Sequence, residues 1–582
     1  MVNFKGPFCL LMLRLSLLCL VTLSLLLACS TPSEYSPSID NSRPASYAVA
    51  SAHPLATQVG IEILQQGGNA FDAAVAVTAV LAVVEPYASG LGGGGFWLLH
   101  FVDENKNVMI DGREVAPLAA TRDMYIDENG KPTKQSVNGS LAAGIPGTPA
   151  AMAHIAEKYG RLPLHTTLSA AINLARNGFA VSEFYNSRAS AVFERLKKFP
   201  HTAEIFLQQG KIPQVGYILQ QLDLARVLEN ISENGANGFY RGEVANKLVA
   251  SVQQAGGIWQ QQDLSDYKIV ERLPVTGTYK NIEIVSAALP SSGGIVLMQI
   301  LNMLSNFDLQ AMNEVQRKHL IVEAMRRAYH DRAQYLGDVD FVDVPVDELL
   351  SIEHAEKRLA DLSLQHATPS QNYIQQDIVN SLPLKEAAQN TTHFSILDQQ
   401  GNQVAATLSI NYYFGSGFVA QGTGVLLNNE MDDFAIQPGH ANLWGLVGSV
   451  ANAIEPGKRM LSSMSPTFLN DGQRIAILGT PGGSRIISMV LLSALAFAEG
   501  ASASEMVQEP RFHHQFLPDE IQFEADVLTT QTQSSLESMG HSLKDLGRSY
   551  GNMHTVIWDQ QINKVTAASD PRGIGQASVG TN

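Results

Sequence analysis

The sequence predicts an α+β protein, and three stretches carry that prediction. Residues 55–66 have a helical pattern, with Pro54 near the start and Gly67-Gly68 near the stop, and residues 70–84, rich in Ala and Val, read as a buried helix. Phe96-Trp97-Leu98-Leu99 reads as a core strand entered through four glycines, Gly92 to Gly95. Far along the chain, residues 391–398 and 404–411 read as strands on either side of Gln399-Gln400-Gly401-Asn402, a hairpin signature. The 582 residues are 45% hydrophobic and 16% charged, the composition of a globular chain long enough to bury a large core.

The first 29 residues differ from the rest. Lys5 and Arg14 are their only charges, and an apolar run over residues 15–28 follows, as in an export signal. A transmembrane anchor is the alternative, but the run is short for a span of about 20 residues. It ends Leu26-Leu27-Ala28-Cys29-Ser30, which resembles a bacterial lipobox, with Leu27 a less typical choice. Residues 1–28 are therefore expected to be removed and Cys29 to be lipidated. The other cysteines are Cys9 and Cys19, so the mature chain would hold one cysteine and no internal disulfide. Ser30 after the cysteine points to the periplasmic face of the outer membrane. Residues 29–46, rich in Ser and Pro, read as the lipidated start and a flexible tether.

The globular part starts near Tyr47. The glycines at 92–95 imply close backbone approach or a turn; no Lys-Ser/Thr follows them, which argues against a phosphate loop. Residues 150–362 carry many helical patterns, with loops at Pro146-Gly147 and at Pro290-Ser291-Ser292-Gly293-Gly294, and no internal repeat. Residues 365–390 turn polar, rich in Gln, Asn and Ser, before strand-like alternation resumes at Thr391. Formal net charge is −16 with no long basic run, so nucleic acid is not an expected partner. His513-His514 is a poor metal motif, because neighbours on a strand face opposite ways and no carboxylate-rich motif completes a site.

A hairpin turn centred near Gln400-Gly401 brings Thr391 opposite Ser409, Ile410 or Asn411. Side chains two apart share a face, so Ser409 and Asn411 can both look toward Thr391. By itself that is weak, since Thr is an ordinary strand residue.

The surrounding motifs change the odds. Gly67-Gly68-Asn69-Ala70-Phe71-Asp72-Ala73-Ala74, Leu91-Gly92-Gly93-Gly94-Gly95-Phe96, Asp111-Gly112-Arg113-Glu114 and Pro290-Ser291-Ser292-Gly293-Gly294 precede the hairpin. Thr391-Thr392-His393-Phe394-Ser395, Asn428-Asn429-Glu430-Met431-Asp432-Asp433-Phe434, Leu461-Ser462-Ser463-Met464-Ser465-Pro466-Thr467 and Pro481-Gly482-Gly483-Ser484 complete the series. From about residue 47 to 574 the chain resembles the γ-glutamyltranspeptidase family. That resemblance implies an N-terminal-nucleophile hydrolase with an αββα four-layer sandwich. It implies a precursor that cuts itself between Asn390 and Thr391 into a large subunit, 47–390, and a small catalytic subunit, 391–582, which stay together as a heterodimer.

A Thr hydroxyl needs a base to take its proton. Cleavage would free an α-amine on Thr391, with a reference pKa of about 7.7–8.0, so one residue supplies nucleophile and base. By resemblance, Ser409 hydrogen-bonds the nucleophile, where relatives usually have Thr; Ser keeps the hydroxyl and loses the methyl that restricts its rotamer. Gly482 and Gly483 match the oxyanion-hole glycines. Arg113, with Ser462 and Ser463, matches the α-carboxylate site, and Asp433, Asn411 and Glu430 match the α-amine site. Residues 438–446, with Trp444 where relatives usually have Tyr, match a lid loop. No metal or cofactor is implied. The expected substrates are glutathione and other γ-glutamyl compounds, with water, amino acids or dipeptides as acceptors. A glutaryl (cephalosporin) acylase of the same fold and a non-catalytic periplasmic binding protein are the alternatives.

Overall fold

The structure is a computed structural model that describes Met1 and residues 43–373, 391–440, 442 and 445–581. Residues 2–28 of the expected export signal, Cys29, most of the expected tether, Asn390 and Trp444 lie outside the described residues. Contacts divide the chain into residues 1–40 and residues 41–582, and the second unit contains the fold described below.

The helix over Pro54–Gln65 starts with Pro54 in its first turn, where the missing N–H costs nothing. Ala70–Val84 is helical and buried along its whole length. Its start is set by a capping box in which Asn69 accepts from the N–H of Phe71 and Asp72 while Asp72 accepts from the N–H of Asn69.

Among the described residues the larger sheet has seven strands, in the order Gln576–Gly580, Tyr47–Ser51, Thr392–Leu397, Gln403–Ser409, Gly94–Phe101, Lys106–Gly112 and Val270–Arg272. A second sheet orders Lys564–Ser569, His554–Asp559, Arg474–Gly479, Thr467–Asn470, Ile282–Ser286 and Val275–Tyr279. All neighbours in both are antiparallel.

Alternate residues of the central strands divide between two cores, as the two-residue period of a strand requires. Val49, Trp97, Phe394, Ile396 and Val404 pack with the helix Ala70–Val84. Ala48, Ala50, Phe96, Leu98, Leu397 and Ala405 pack with Phe468, Ile477 and Val556 of the second sheet. Helices Gly293–Leu304 and Arg485–Ala498 cover that second sheet. The order is helix, sheet, sheet, helix, which is the expected sandwich.

Segments from either side of residue 390 interleave within one sheet: Tyr47–Ser51 pairs with both Thr392–Leu397 and Gln576–Gly580. The two parts therefore share backbone ladders as well as both cores. The glycines at 92–95 are explained chiefly by close approach: none has a positive φ, although the N–H of Gly93 closes a turn onto the carbonyl of Gly90 at 3.1 Å. A Cβ on Gly93 would sit 2.1 Å from the carbonyl oxygen of Ser409, and one on Gly95 2.4 Å from that of Thr407. The strands Val275–Tyr279 and Ile282–Ser286 lie within the stretch whose patterns read as largely helical; five residues each are too few for a clear period.

Candidate active site

The site starts from a turn. Asp398 accepts hydrogen bonds from the N–H groups of Gln400, Gly401 and Asn402, which folds the chain back on itself. Leu397 then pairs with Gln403, and Thr392 with Leu408. The same register puts Thr391 beside Ser409, and the Thr391 hydroxyl donates to Ser409 Oγ at 3.5 Å. Ser409 Oγ also accepts from the backbone N–H of Asn411 at 2.7 Å. The strand ends at Ser409, and Asn411 has a φ of +74°. Asn411 thus reaches the site through a left-handed turn and not through strand alternation.

Thr391 shares its strand face with His393 and Ser395, and Ser395 donates across to the carbonyl of His554 in the second sheet. The nucleophile candidate therefore sits at the end of the layer between the sheets, where a cleft of about 390 Å³ opens. Thr391, Ser409, Asn411, Glu430, Asp433, Ser462, Ser463 and Gly483 all line it.

Gly482 and Gly483 follow the strand Arg474–Gly479 and precede the helix Arg485–Ala498. Their φ values, +147° and +59°, belong to glycine. Among the described residues neither N–H has a hydrogen-bond partner. Two uncommitted N–H groups at the positive end of a helix dipole form an environment that favours negative charge. Gly483 lines the cleft; Gly482 lies one residue back from it.

Arg113 lies behind the residues that line the cleft. It is fully buried and does not line the cleft. Its Nη1 pairs with Glu430 at 2.7 Å, its Nη2 with Asp433 at 2.6 Å, and its Nε donates to the carbonyl of Met460 at 3.2 Å. Burial opposes its charge, but Glu430, Asp433 and Glu114 hold it protonated. Burial also pushes Glu114 up to about 8, against the pull of Arg113, and pushes Glu430 well above the usual carboxylate range. One guanidinium faces three carboxylates, so burial and mutual repulsion favour the protonated forms of Glu114 and Glu430. Asp433 and Glu430 both pair with Arg113 while lining the cleft, and Asp433 also accepts from Asn411 Nδ2 at 3.3 Å.

Two serines also line the cleft. Ser462 Oγ accepts from the N–H of Met464 at 3.1 Å, and Ser463 Oγ accepts from Arg332 Nη2 at 3.2 Å. Of the lid stretch 438–446, His440, Asn442 and Leu446 line the cleft.

Three groups at or beside the site were not found by sequence reasoning: Glu114, Glu85 and Arg332. Glu114 ends the Asp111-Gly112-Arg113-Glu114 motif, which assigns it no role. Glu85 is buried behind the nucleophile strand and accepts from Thr392 Oγ1 at 2.7 Å and from Tyr87 at 3.1 Å. Arg332 reaches the cleft from the long helix Glu314–Tyr335. Glu85 meets Thr392 and Arg332 meets Ser463 across 307 and 131 positions, separations that no local pattern marks. His513 and His514 are buried and bonded to Ser488, Gln515 and Asp519. His319, Glu323 and His541 lie close enough to hold a metal ion. However, Glu323 is already paired with Arg326 and Arg327, and both ring nitrogens of His319 are engaged.

A nucleophile-bearing strand opening one sheet of a helix–sheet–sheet–helix sandwich defines an N-terminal-nucleophile hydrolase. The fold matches a cephalosporin acylase from Bacillus halodurans with a TM-score of 0.78 at 25% identity, covering 92% of this chain and 96% of that one. A Helicobacter pylori γ-glutamyltranspeptidase structure matches at 41% identity and a TM-score of 0.54, covering 57% of this chain and 96% of that one. A glutathione hydrolase proenzyme from Pseudomonas sp. (strain A14) is 45% identical over 84% of this chain and 85% of its own length. The γ-glutamyltranspeptidase family profile matches residues 56–580. The chain belongs to the γ-glutamyltranspeptidase family.

Proposed function

We propose that this protein is a self-activating γ-glutamyl transferase and glutathione hydrolase. One observation carries the reading: the Thr391 hydroxyl, in contact with Ser409, opens onto a cleft with opposite chemistries on its walls. Asp433 and Asn411 form a side suited to an α-amine, and Ser462 and Ser463 a side suited to an α-carboxylate.

Cleavage after Asn390 releases the α-amine of Thr391, which takes the proton from Oγ1. Oγ1 then adds to the γ-carbonyl of the substrate, and the oxyanion forms at the N–H groups of Gly482 and Gly483. The amine leaving group departs with a proton, leaving a γ-glutamyl ester on Thr391. Water releases glutamate; an amino acid or dipeptide amine yields a new γ-glutamyl amide. The division into 47–390 and 391–582 follows from the same step.

The glutaryl acylase alternative lacks a partner for Asp433, since a glutaryl group has no amine. Retention of Thr391, Gly482 and Gly483 favours an enzyme over a binding protein. Export, lipidation at Cys29 and a periplasmic location belong to this proposal and rest on residues 1–30. No helix among the described residues is long and apolar enough to cross a membrane. The test is a product assay with glutathione, with and without a dipeptide. Glutamate, and a γ-glutamyl dipeptide when acceptor is present, are expected. Fully cleaved protein that forms neither would refute the activity.

A further inference from the structure

Glu85 is a buried acid behind the nucleophile strand, and the proposed mechanism has no use for it. It follows the helix Ala70–Val84, and Pro86 after it disfavours helical backbone at residue 85. The backbone of Glu85 is held on both sides. Its N–H bonds the carbonyl of Leu81 at 2.9 Å, and its carbonyl accepts from the N–H groups of Ala88 and Ser89 at 2.8 and 3.1 Å. The side chain takes two donors: Thr392 Oγ1 donates to Oε2 at 2.7 Å, and the Tyr87 hydroxyl to Oε1 at 3.1 Å. A carboxyl on so fixed a backbone is a rigid acceptor.

The sheet shows why Thr392 needs an anchor. The strand Thr392–Leu397 has the strand Gln403–Ser409 beside it along its whole length, from Leu397 with Gln403 to Thr392 with Leu408. On its other side Tyr47–Ser51 reaches only as far as Phe394, which pairs with Ser51. Among the described residues, Thr392 and His393 therefore have a ladder neighbour on one side only, and Thr391 lies beyond the last ladder pair. Cutting the chain before Thr391 turns this half-supported start of a strand into a chain terminus. Termini are poorly ordered unless tied down, yet the proposed mechanism needs both the nitrogen and Oγ1 of Thr391 in fixed places. The His393 ring bonds to Thr407 Oγ1 at 2.8 Å and Ser395 Oγ at 3.1 Å, so it ties the hairpin only to itself. Glu85 ties it from outside, across 307 positions of the chain. A backbone carbonyl would satisfy the Thr392 hydroxyl, and a carboxyl costs more to bury. Its use here asks for a role beyond that hydroxyl.

We propose that Glu85 is a positioning residue for the nucleophile, which acts through Thr392 to hold the new chain end at Thr391 after self-cleavage. This role rests on the self-activating reading above. In the precursor Thr391 is held by peptide bonds on both of its sides, so the tie matters for turnover and not for the cut. The large subunit thereby contributes to catalysis from behind, by fixing the first strand of the small one.

The test measures self-cleavage and hydrolysis of a γ-glutamyl anilide in Glu85→Ala, Glu85→Gln and Thr392→Val. Glu85→Ala should cut itself after Asn390 as wild type does. It should then lose on the order of ten- to a hundredfold in kcat with KM within about threefold, since acylation and deacylation both use Thr391. Glu85→Gln keeps an acceptor for the Thr392 hydroxyl and should recover kcat to within about threefold of wild type. Thr392→Val removes the hydroxyl and should match Glu85→Ala, and the two combined should cost no more than either alone. An unchanged kcat in Glu85→Ala overturns the assignment, as do a loss confined to KM, a Glu85→Gln as slow as Glu85→Ala, and full additivity with Thr392→Val. Should Glu85→Ala fail to fold or to cut itself, Thr392→Val carries the same expectations, and an unchanged kcat or an uncut chain there overturns it equally. Cleaved wild type that is inactive on the anilide would instead refute the γ-glutamyl reading.

Discussion

Asp433→Asn is the substitution with the clearest consequence for substrate choice. The Asp433 side chain is 15% exposed and lines the cleft, with Arg113 Nη2 at 2.6 Å behind it and Asn411 Nδ2 at 3.3 Å beside it. An α-ammonium arriving from the cleft adds a charged donor to this carboxylate. A hydrogen bond to a charged group contributes about 1.5–3 kcal/mol, equivalent to roughly ten- to 150-fold in kcat/KM. Asn keeps the size and removes the charge. Arg113 retains Glu430 at 2.7 Å, so the cluster keeps an ion pair and the fold should survive. A glutaryl acyl group has no ammonium, and in the wild type it would press a methylene against the carboxylate. Asparagine relieves that penalty. The γ-glutamyl rate should therefore fall while the glutaryl rate holds or rises. The assay is the ratio of kcat/KM for the two anilides on fully cleaved protein. A ratio that stays within about twofold of wild type would mean that Asp433 does not read the amine.

Four further outcomes are expected. Thr391→Ala should remain one chain on a denaturing gel; a split at the same bond would exclude Thr391 as the group that cuts it. Burial pushes Glu85 from its ordinary 4.5 up to about 7, against donors from Thr392 and Tyr87. The folded state thus holds a proton that the unfolded state releases in that window, so stability should fall as pH rises from about 4.5 to 7, by on the order of 3 kcal/mol. Denaturation midpoints across that range should flatten in Glu85→Gln, and an unchanged slope would assign the effect elsewhere. Gly93→Ala drives a Cβ to 2.1 Å from the Ser409 carbonyl, so stability should drop by at least the roughly 1–3 kcal/mol of over-packing, read as a lower midpoint or lost soluble yield. Cys29→Ala should lose lipid labelling and leave the membrane fraction; a wild-type protein that is soluble with another N-terminus would rule out the anchor.

The sequence by itself determined what depends on near neighbours. The helix at 70–84 was legible because the stretch is rich in Ala and Val over a helix's length; its Asn69 cap emerged only in the structure. The approach of Thr391 to residues 409–411 was legible because a hairpin register is a sum: a turn centred near Gln400-Gly401 leaves Ser409, Ile410 or Asn411 opposite, and the pairing of Thr392 with Leu408 selects Ser409. Ordered motifs identified the family, because each retains residue types at fixed spacings.

What only the tertiary structure decided involves partners far apart in the chain. Arg113 and Asp433 are separated by 320 positions, and nothing local reveals that the arginine is enclosed by carboxylates behind the cleft. Arg332 lies 131 positions from Ser463, on a long helix whose pattern carries no mark of a catalytic cleft. The direction of a hydroxyl proton depends on which neighbour can only donate. That is a property of packed three-dimensional surroundings, and no residue type or spacing encodes it.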